Sequence, residues 1–204
     1  MIRSSLIRLT AVGVLASALS GCALLSSPDP VQTYRFGGSA PAVSESVGSS
    51  ATSISLRRVE FPEAVEGDRL LGVTGTETAY IKGARWVSPA ADLYMESLEN
   101  AFAGQATQVR LVGPREAVRS GRSLDIDMRA FEARYDVPGG VPTVVITARA
   151  RVTTSPDRTV AAERMFSVEQ PATGNRVSAI VEAFDLASRD LNTQIVAWTE
   201  ANAR

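Results

Sequence analysis

Histidine is absent from this chain of 204 residues; cysteine occurs once, at Cys22, and lysine once, at Lys82. The missing imidazole removes the side chain that most often moves protons near neutral pH. It also rules out Ser–His and Cys–His nucleophile pairs. With no His and one Cys, zinc sites of the His₃, Cys₂His₂ or Cys₄ type cannot be assembled within one chain. A single cysteine forms no internal disulfide, so it carries no information about an oxidising compartment by that route. The chain also lacks the G-x-x-x-x-G-K-[ST] spacing, the Rossmann fingerprint and a G-x-S-x-G elbow. No cofactor and no catalytic constellation are therefore expected. Carboxylates, hydroxyls, arginines and Lys82 are what remains, and that inventory points away from an enzyme.

The surroundings of Cys22 indicate its role. Arg3 and Arg8 give a positive start, and Leu9 to Leu19 is an uncharged run of apolar and small residues. Ser20 and Gly21 then put small residues directly before the cysteine. This is the layout of a secretory signal. The apolar run is too short for a membrane-spanning helix, which needs about 20 apolar residues. Leu19-Ser20-Gly21-Cys22 resembles the lipobox of bacterial lipoproteins, which is cleaved before the cysteine. That resemblance implies a diacylglycerol on the thiol and an acylated new amino terminus. Each buried methylene contributes about 0.8 kcal/mol, and two or more chains anchor stably where one does not. Ala23, rather than Asp, follows the cysteine. In enterobacterial sorting this implies the inner leaflet of the outer membrane, facing the periplasm.

Cleavage would remove Arg3 and Arg8 and leave 19 basic against 22 acidic residues, a net charge of −3. That balance argues against a nucleic-acid partner. Residues 1–21 thus read as a lipoprotein signal peptide, 22–30 as a lipidated tether and 31–204 as one folded domain.

Along that domain, VQTYRF at 31–36 reads as a first strand, and 37–53 as a Gly/Ser/Ala-rich surface loop. SISLRRVEFP alternates Ile54 and Leu56 with Val59 and Phe61 across an Arg pair, a strand with a register break. RLLGVTG and TAYIKG predict a hairpin. In SPAADLYMESLENAFAG, Ser88 is placed to cap a helix, Pro89 to occupy its first position and Gly104 to end it. TQVRLV is a further strand. Three long runs follow and predict an antiparallel meander over 123–170. Leu124, Ile126 and Met128 share one parity while Phe131, Ala133 and Tyr135 take the other, so a bulge is expected near Ala130. Residues 175–201 carry Val177, Ile180, Val181, Phe184, Leu191, Ile195 and Trp198 at helical spacing. The expected fold is α+β, a mostly antiparallel sheet with two main helices packed on one face.

Asp125-x-Asp127 could hold a cation, but the pair alternates with Leu124, Ile126 and Met128. A strand with one wet face has the same pattern, and that reading is preferred. Arg57–Arg58 and Arg149-x-Arg151 could meet lipid phosphates, but a solvated or salt-bridged strand face is the preferred reading.

Several motifs in order carry a wider resemblance. They are TYRF, Val59-Glu60-Phe61-Pro62 at a strand end, and Arg85-Trp86-Val87-Ser88-Pro89 leading into a helix. DIDMRAFEARYD and the long last helix ending near Trp198 complete the series. Over about residues 31–200 the chain resembles the ABC-type transport auxiliary lipoprotein family, its PqiC-like group. WVSPAADLY departs from the family's usual entry to the first helix. The resemblance implies a non-catalytic accessory of an MCE-type lipid transport system, with an MCE-domain protein and ABC transporter subunits as partners. It leaves Arg85, Trp86 and Pro89 as partner-binding or structural residues, with packing under the helix start preferred for Trp86. A homo-oligomer would suit a symmetric conduit. The alternative is a structural or assembly lipoprotein of the outer membrane with no transporter.

Overall fold

Alternation along the long strands decides where the core lies. The computed structural model describes residues 31–38, 51–113, 116, 120–155 and 157–203. Leu19, Ser20, Gly21 and Cys22 lie outside them, as does most of the Gly/Ser-rich stretch at 37–53.

The elements in order are β1 (Gln32–Tyr34), β2 (Thr52–Glu60), α1 (Glu63–Glu66), β3 (Leu71–Thr74), β4 (Glu77–Tyr80) and β5 (Ala84–Trp86). Then come α2 (Ala90–Gln105), β6 (Val109–Val112), β7 (Arg122–Tyr135), β8 (Thr143–Thr154), β9 (Val160–Pro171) and α3 (Val177–Asn202). The fold is α+β. In the seven-stranded sheet β7 is central: β8 runs antiparallel along one edge, and β9 lies antiparallel outside β8. These are the long ladders and form the expected meander. The other edge of β7 is shared by two strands, both parallel to it. β2 pairs up to Glu60↔Asp127, and β3 takes over at Gly72↔Ala133. β6 extends the sheet beyond β2 in parallel, and the β3–β4 hairpin closes the other end. The sheet is therefore mixed, antiparallel in its longest ladders and parallel wherever a strand returns after a helix or loop.

Both anticipated irregularities are present. The β7–β8 register shifts between Met128 and Ala130, and the β2–β7 register shifts between Leu56 and Arg58. The first shift turns Phe131 and Ala133 to the same side as Leu124, Ile126 and Met128, so all five are buried. On β8, Val144, Ile146, Ala148, Ala150 and Val152 are fully buried on that same side. The helices α2 and α3 cover this face and pack on each other. Ile180, Phe184, Leu191 and Ile195 supply the buried stripe of α3, and Trp198 is partly buried with its ring edge-on to Phe166.

Two local expectations change. Helix α2 begins at Ala90, with Pro89 in the cap position and no side-chain cap from Ser88. The carbonyl of Gly67 accepts the Ala90 N–H at 2.9 Å, so a tertiary contact replaces the serine. The helix also runs past Gly104 to Gln105. Beyond it, the Glu200 carboxylate of α3 accepts the N–H groups of Thr107 and Gln108 at 2.6 and 2.7 Å. That contact, together with Ala106 N–H donating to Phe102, settles the chain between α2 and β6.

Candidate functional site

Strand β1 does not join the large sheet. It pairs in parallel with β5, Gln32↔Ala84 to Tyr34↔Trp86, as a separate two-stranded ribbon. What fixes this ribbon to the domain is aromatic packing. Phe36, just past β1, sits 5.0 Å from Trp86 and 5.2 Å from Phe131, ring centre to ring centre. Trp86 also meets Phe184 of α3 edge-on at 5.4 Å, and Phe131 meets Phe184 at 4.9 Å. Phe61, at the end of β2, bridges Phe131 at 5.5 Å and Tyr94 of α2 at 5.7 Å. Most of these pairs are edge-on or tilted, the arrangements that the aromatic quadrupole favours. The β7 bulge is what makes the cluster feasible, since without it Phe131 would face solvent.

The segment singled out by sequence is held at the centre of this joint. Trp86 is 2 % exposed and donates its main-chain N–H to the Asp68 carbonyl at 2.7 Å. Arg85 points the opposite way, and its guanidinium meets both oxygens of the Asp68 carboxylate at 2.9 and 2.7 Å. Nearly half of each of these two side chains is exposed. Gly67 and Asp68 thus clip β5 and the start of α2 together, through Trp86, Arg85 and Ala90. Pro89 caps the helix and, having no N–H of its own, leaves no donor unpaired there. Of the three residues, Arg85 alone offers a charged, partly exposed group; Trp86 is a packing anchor.

After Phe36 the chain presses against both helices. Gly37 has φ +68°, and its N–H donates to the Asp185 carboxylate at 2.7 Å. A side chain at Gly37 would collide with Ser97. Ser97 is itself buried and accepts a hydrogen bond from Asn192 of α3 at 2.9 Å. The ion pair Arg35–Glu96 at 2.5 Å closes the rim. The domain therefore receives its N-terminal segment through a short ribbon locked by one buried phenylalanine and one glycine.

The opposite face of the sheet is wet and charged. Asp127 accepts from Arg129 at 2.6 Å and from Arg149 at 2.7 Å, so its charge is matched within the sheet. Arg151 lies 4.0 Å from Glu163. Asp125 and Asp127 are not joined by a third ligand type, and among the described residues no group of three or more His, Cys, Asp or Glu could hold a metal ion. Tyr94 is fully buried, and burial pushes its hydroxyl far above the usual tyrosine range, so it stays neutral. Among the described residues its hydroxyl has no hydrogen-bond partner. Among the described residues no helix is long and apolar enough to cross a membrane.

Three features of this site escape sequence reasoning: the Gly67–Asp68 clip, the Gly37–Ser97 approach and the shared edge of β7. A glycine doublet at 37–38 was the one visible signal, and it reads equally well as loop composition.

The chain has clear relatives. A family model described as "ABC-type transport auxiliary lipoprotein component" matches residues 34–196. A crystal structure of the Xanthomonas campestris protein XCC0632 is similar, with 26% identity and a TM-score of 0.66. That likeness covers 86% of this chain and 94% of the other. A crystal structure of an uncharacterized protein shares the fold at 15% identity and a TM-score of 0.64, over 83% of this chain and 98% of the other. No curated protein matches the chain.

Proposed function

The chain belongs to the family of ABC-type transport auxiliary lipoproteins, and from that premise we propose that it is the accessory lipoprotein of an MCE-type lipid transport system. In this reading Cys22 carries the lipid anchor, the domain stands on the periplasmic side of the outer membrane, and its task is to bind other proteins. The MCE-domain protein and the ABC transporter subunits are the proposed partners. ATP hydrolysis would occur in those subunits, and the described domain contributes surfaces.

The observation that supports this best is the way the N-terminal segment enters the fold. Strand β1 is paired and locked from Gln32 onward, and the proposed lipidated tether, residues 22–30, precedes it in the chain. At about 3.3 Å per residue that tether reaches roughly 30 Å. A tether of that length would hold the domain near the lipid surface and leave its faces available to partners.

Two experiments test the reading. Purification of the acylated protein from membranes in mild detergent should recover an MCE-domain protein together with transporter subunits. Repeated recovery of outer-membrane assembly factors alone would favour a structural envelope lipoprotein instead. Separately, Cys22→Ser should lose acylation, and the variant should wash off outer membranes in high salt. A variant that stays bound would remove Cys22 as the anchor.

A further inference from the structure

We propose that the outer edge of β9 is an interface between two copies of this chain, joined strand to strand about a two-fold axis at Met165. Among the described residues β9 pairs with β8 alone, so one side of a strand of 12 residues has no ladder. The strands at the other margins of the sheet, β4 and β6, have 4 residues each. A long free edge is a template for another strand, and proteins that stay monomeric keep such edges short, kinked or rich in lysine. β9 contains no lysine, and from Ala162 to Pro171 its register with β8 is unbroken. Copies of one chain most often associate about a two-fold axis, and an antiparallel strand pair has that symmetry.

The main-chain groups of β9 are set out for such pairing. The Ala172 N–H donates across the end of the ladder to the Pro142 carbonyl at 3.0 Å. Residues of an antiparallel strand turn their main-chain groups alternately to one side and the other. Even-numbered residues back to Ala162 therefore face β8, and Glu163, Met165, Ser167 and Glu169 turn theirs outward. Pro171 falls in the outward set, where its missing N–H takes nothing from β8.

The side chains choose the register. Centring the pair on Arg164 sets that residue against its own copy, and centring on Phe166 sets Glu163 against Glu169; like charges directly opposite are destabilising. Centring on Ser167 places Met165 against Glu169 and makes Pro171, with no N–H, a pairing residue. Centring on Met165 avoids all of these. Glu163 then faces the partner's Ser167, and the two Met165 side chains, each 54 % exposed in the single chain, cover each other. On the helix side the Arg164 guanidinium already lies 4.8 Å over the Phe166 ring. It comes to stand opposite the partner's Phe166, a second ring for the same cation. The ladder from Glu163 to Ser167 would carry about six main-chain hydrogen bonds. It joins the two seven-stranded sheets into one, with both helix layers on the same face.

The test uses the full acylated chain in an excess of detergent micelles, so that two anchors rarely share one. Sedimentation at matched detergent density should give a dimer or an assembly of dimers. Cys22 is the only cysteine and is acylated in the reading above, so an introduced cysteine is the one free thiol. Met165→Cys should form a disulfide-linked dimer on mild oxidation. Glu169→Cys should not, because its two copies stand about 26 Å apart along the paired strands, beyond the reach of a disulfide. Met165→Lys should weaken dimerisation by about fivefold or more, with far-UV circular dichroism unchanged. A monomer in sedimentation, equal linking at positions 165 and 169, or a dimer unaltered by Met165→Lys overturns the assignment. So does efficient linking of Ser167→Cys in place of Met165→Cys, which moves the axis. None of these readouts involves a transporter subunit, so their failure leaves the membrane purification result standing on its own.

Discussion

Replacing Gly37 with alanine tests the lock between the N-terminal ribbon and the helices. Two costs add. The φ of +68° lies in the left-handed region, where a side chain costs about 1–2 kcal/mol. The new methyl would also stand 2.4 Å from Ser97 Cβ and 2.5 Å from its Oγ. Ordinary carbon contacts lie near 3.5–4.0 Å, so the ribbon and α2 must part by roughly 1 Å. Overpacking of that kind costs about 1–3 kcal/mol, and the movement strains the bond from Gly37 N–H to Asp185. The expected loss is about 2–5 kcal/mol, measured by urea unfolding with tryptophan fluorescence as the probe. Trp86 is in the cluster that the ribbon completes, so its emission should shift to the red even before global unfolding. Ser97→Gly separates the two costs. By itself it destabilises α2 by about 1 kcal/mol and removes the acceptor for Asn192. In that background Gly37→Ala has no Ser97 side chain to meet and should cost only the conformational ~1–2 kcal/mol. The reasoning is refuted if Gly37→Ala costs less than about 1 kcal/mol, or costs the same in both backgrounds.

Other perturbations follow from the same geometry. Trp86→Ala should cost about 3–5 kcal/mol in unfolding free energy, and near-UV circular dichroism should lose aromatic intensity; Trp86→Phe should recover much of both. Arg85→Ala removes an exposed pair with Asp68 and should change stability by less than about 1 kcal/mol; a large loss of partner recovery with unchanged stability would make Arg85 a contact residue. Burial raises the pKa of the Glu200 carboxyl, but hydrogen bonds from Gln108 and Thr107 outweigh it and hold the group below its ordinary 4.5. A depressed folded value stabilises the fold above about pH 4.5 and loses that contribution as pH falls through the folded value. Acid titration of stability should therefore be shallower below pH 4.5 in Glu200→Gln.

How much of this was legible in the sequence differs by residue. Period-two alternation on β8 identified its buried side without error, because an alternating strand has only two faces to choose from. The parity change between Met128 and Phe131 predicted a bulge for the same reason, and the bulge is there. Helix ends were read less well. Ser88 has the chemistry of a cap, yet Gly67, twenty-one residues before Ser88, supplies the acceptor. Nor does any local pattern reveal that β1 pairs with β5 outside the large sheet, since three residues in a strand carry too little periodicity to choose a partner.

Composition and local order, then, determined which side chains this protein has to work with, which stretches become strands and helices, and which side of each is apolar. Those properties follow from single residues and their nearest neighbours along the chain. The family resemblance, too, rests on motifs in linear order. Tertiary structure alone decided that Trp86, Phe36, Phe61, Phe131 and Phe184 meet in one cluster. It alone decided that Gly37 has no room for a side chain, and that two strands divide one edge of β7. These depend on contacts between residues that lie tens to more than a hundred positions apart, so only the packed chain brings them into being.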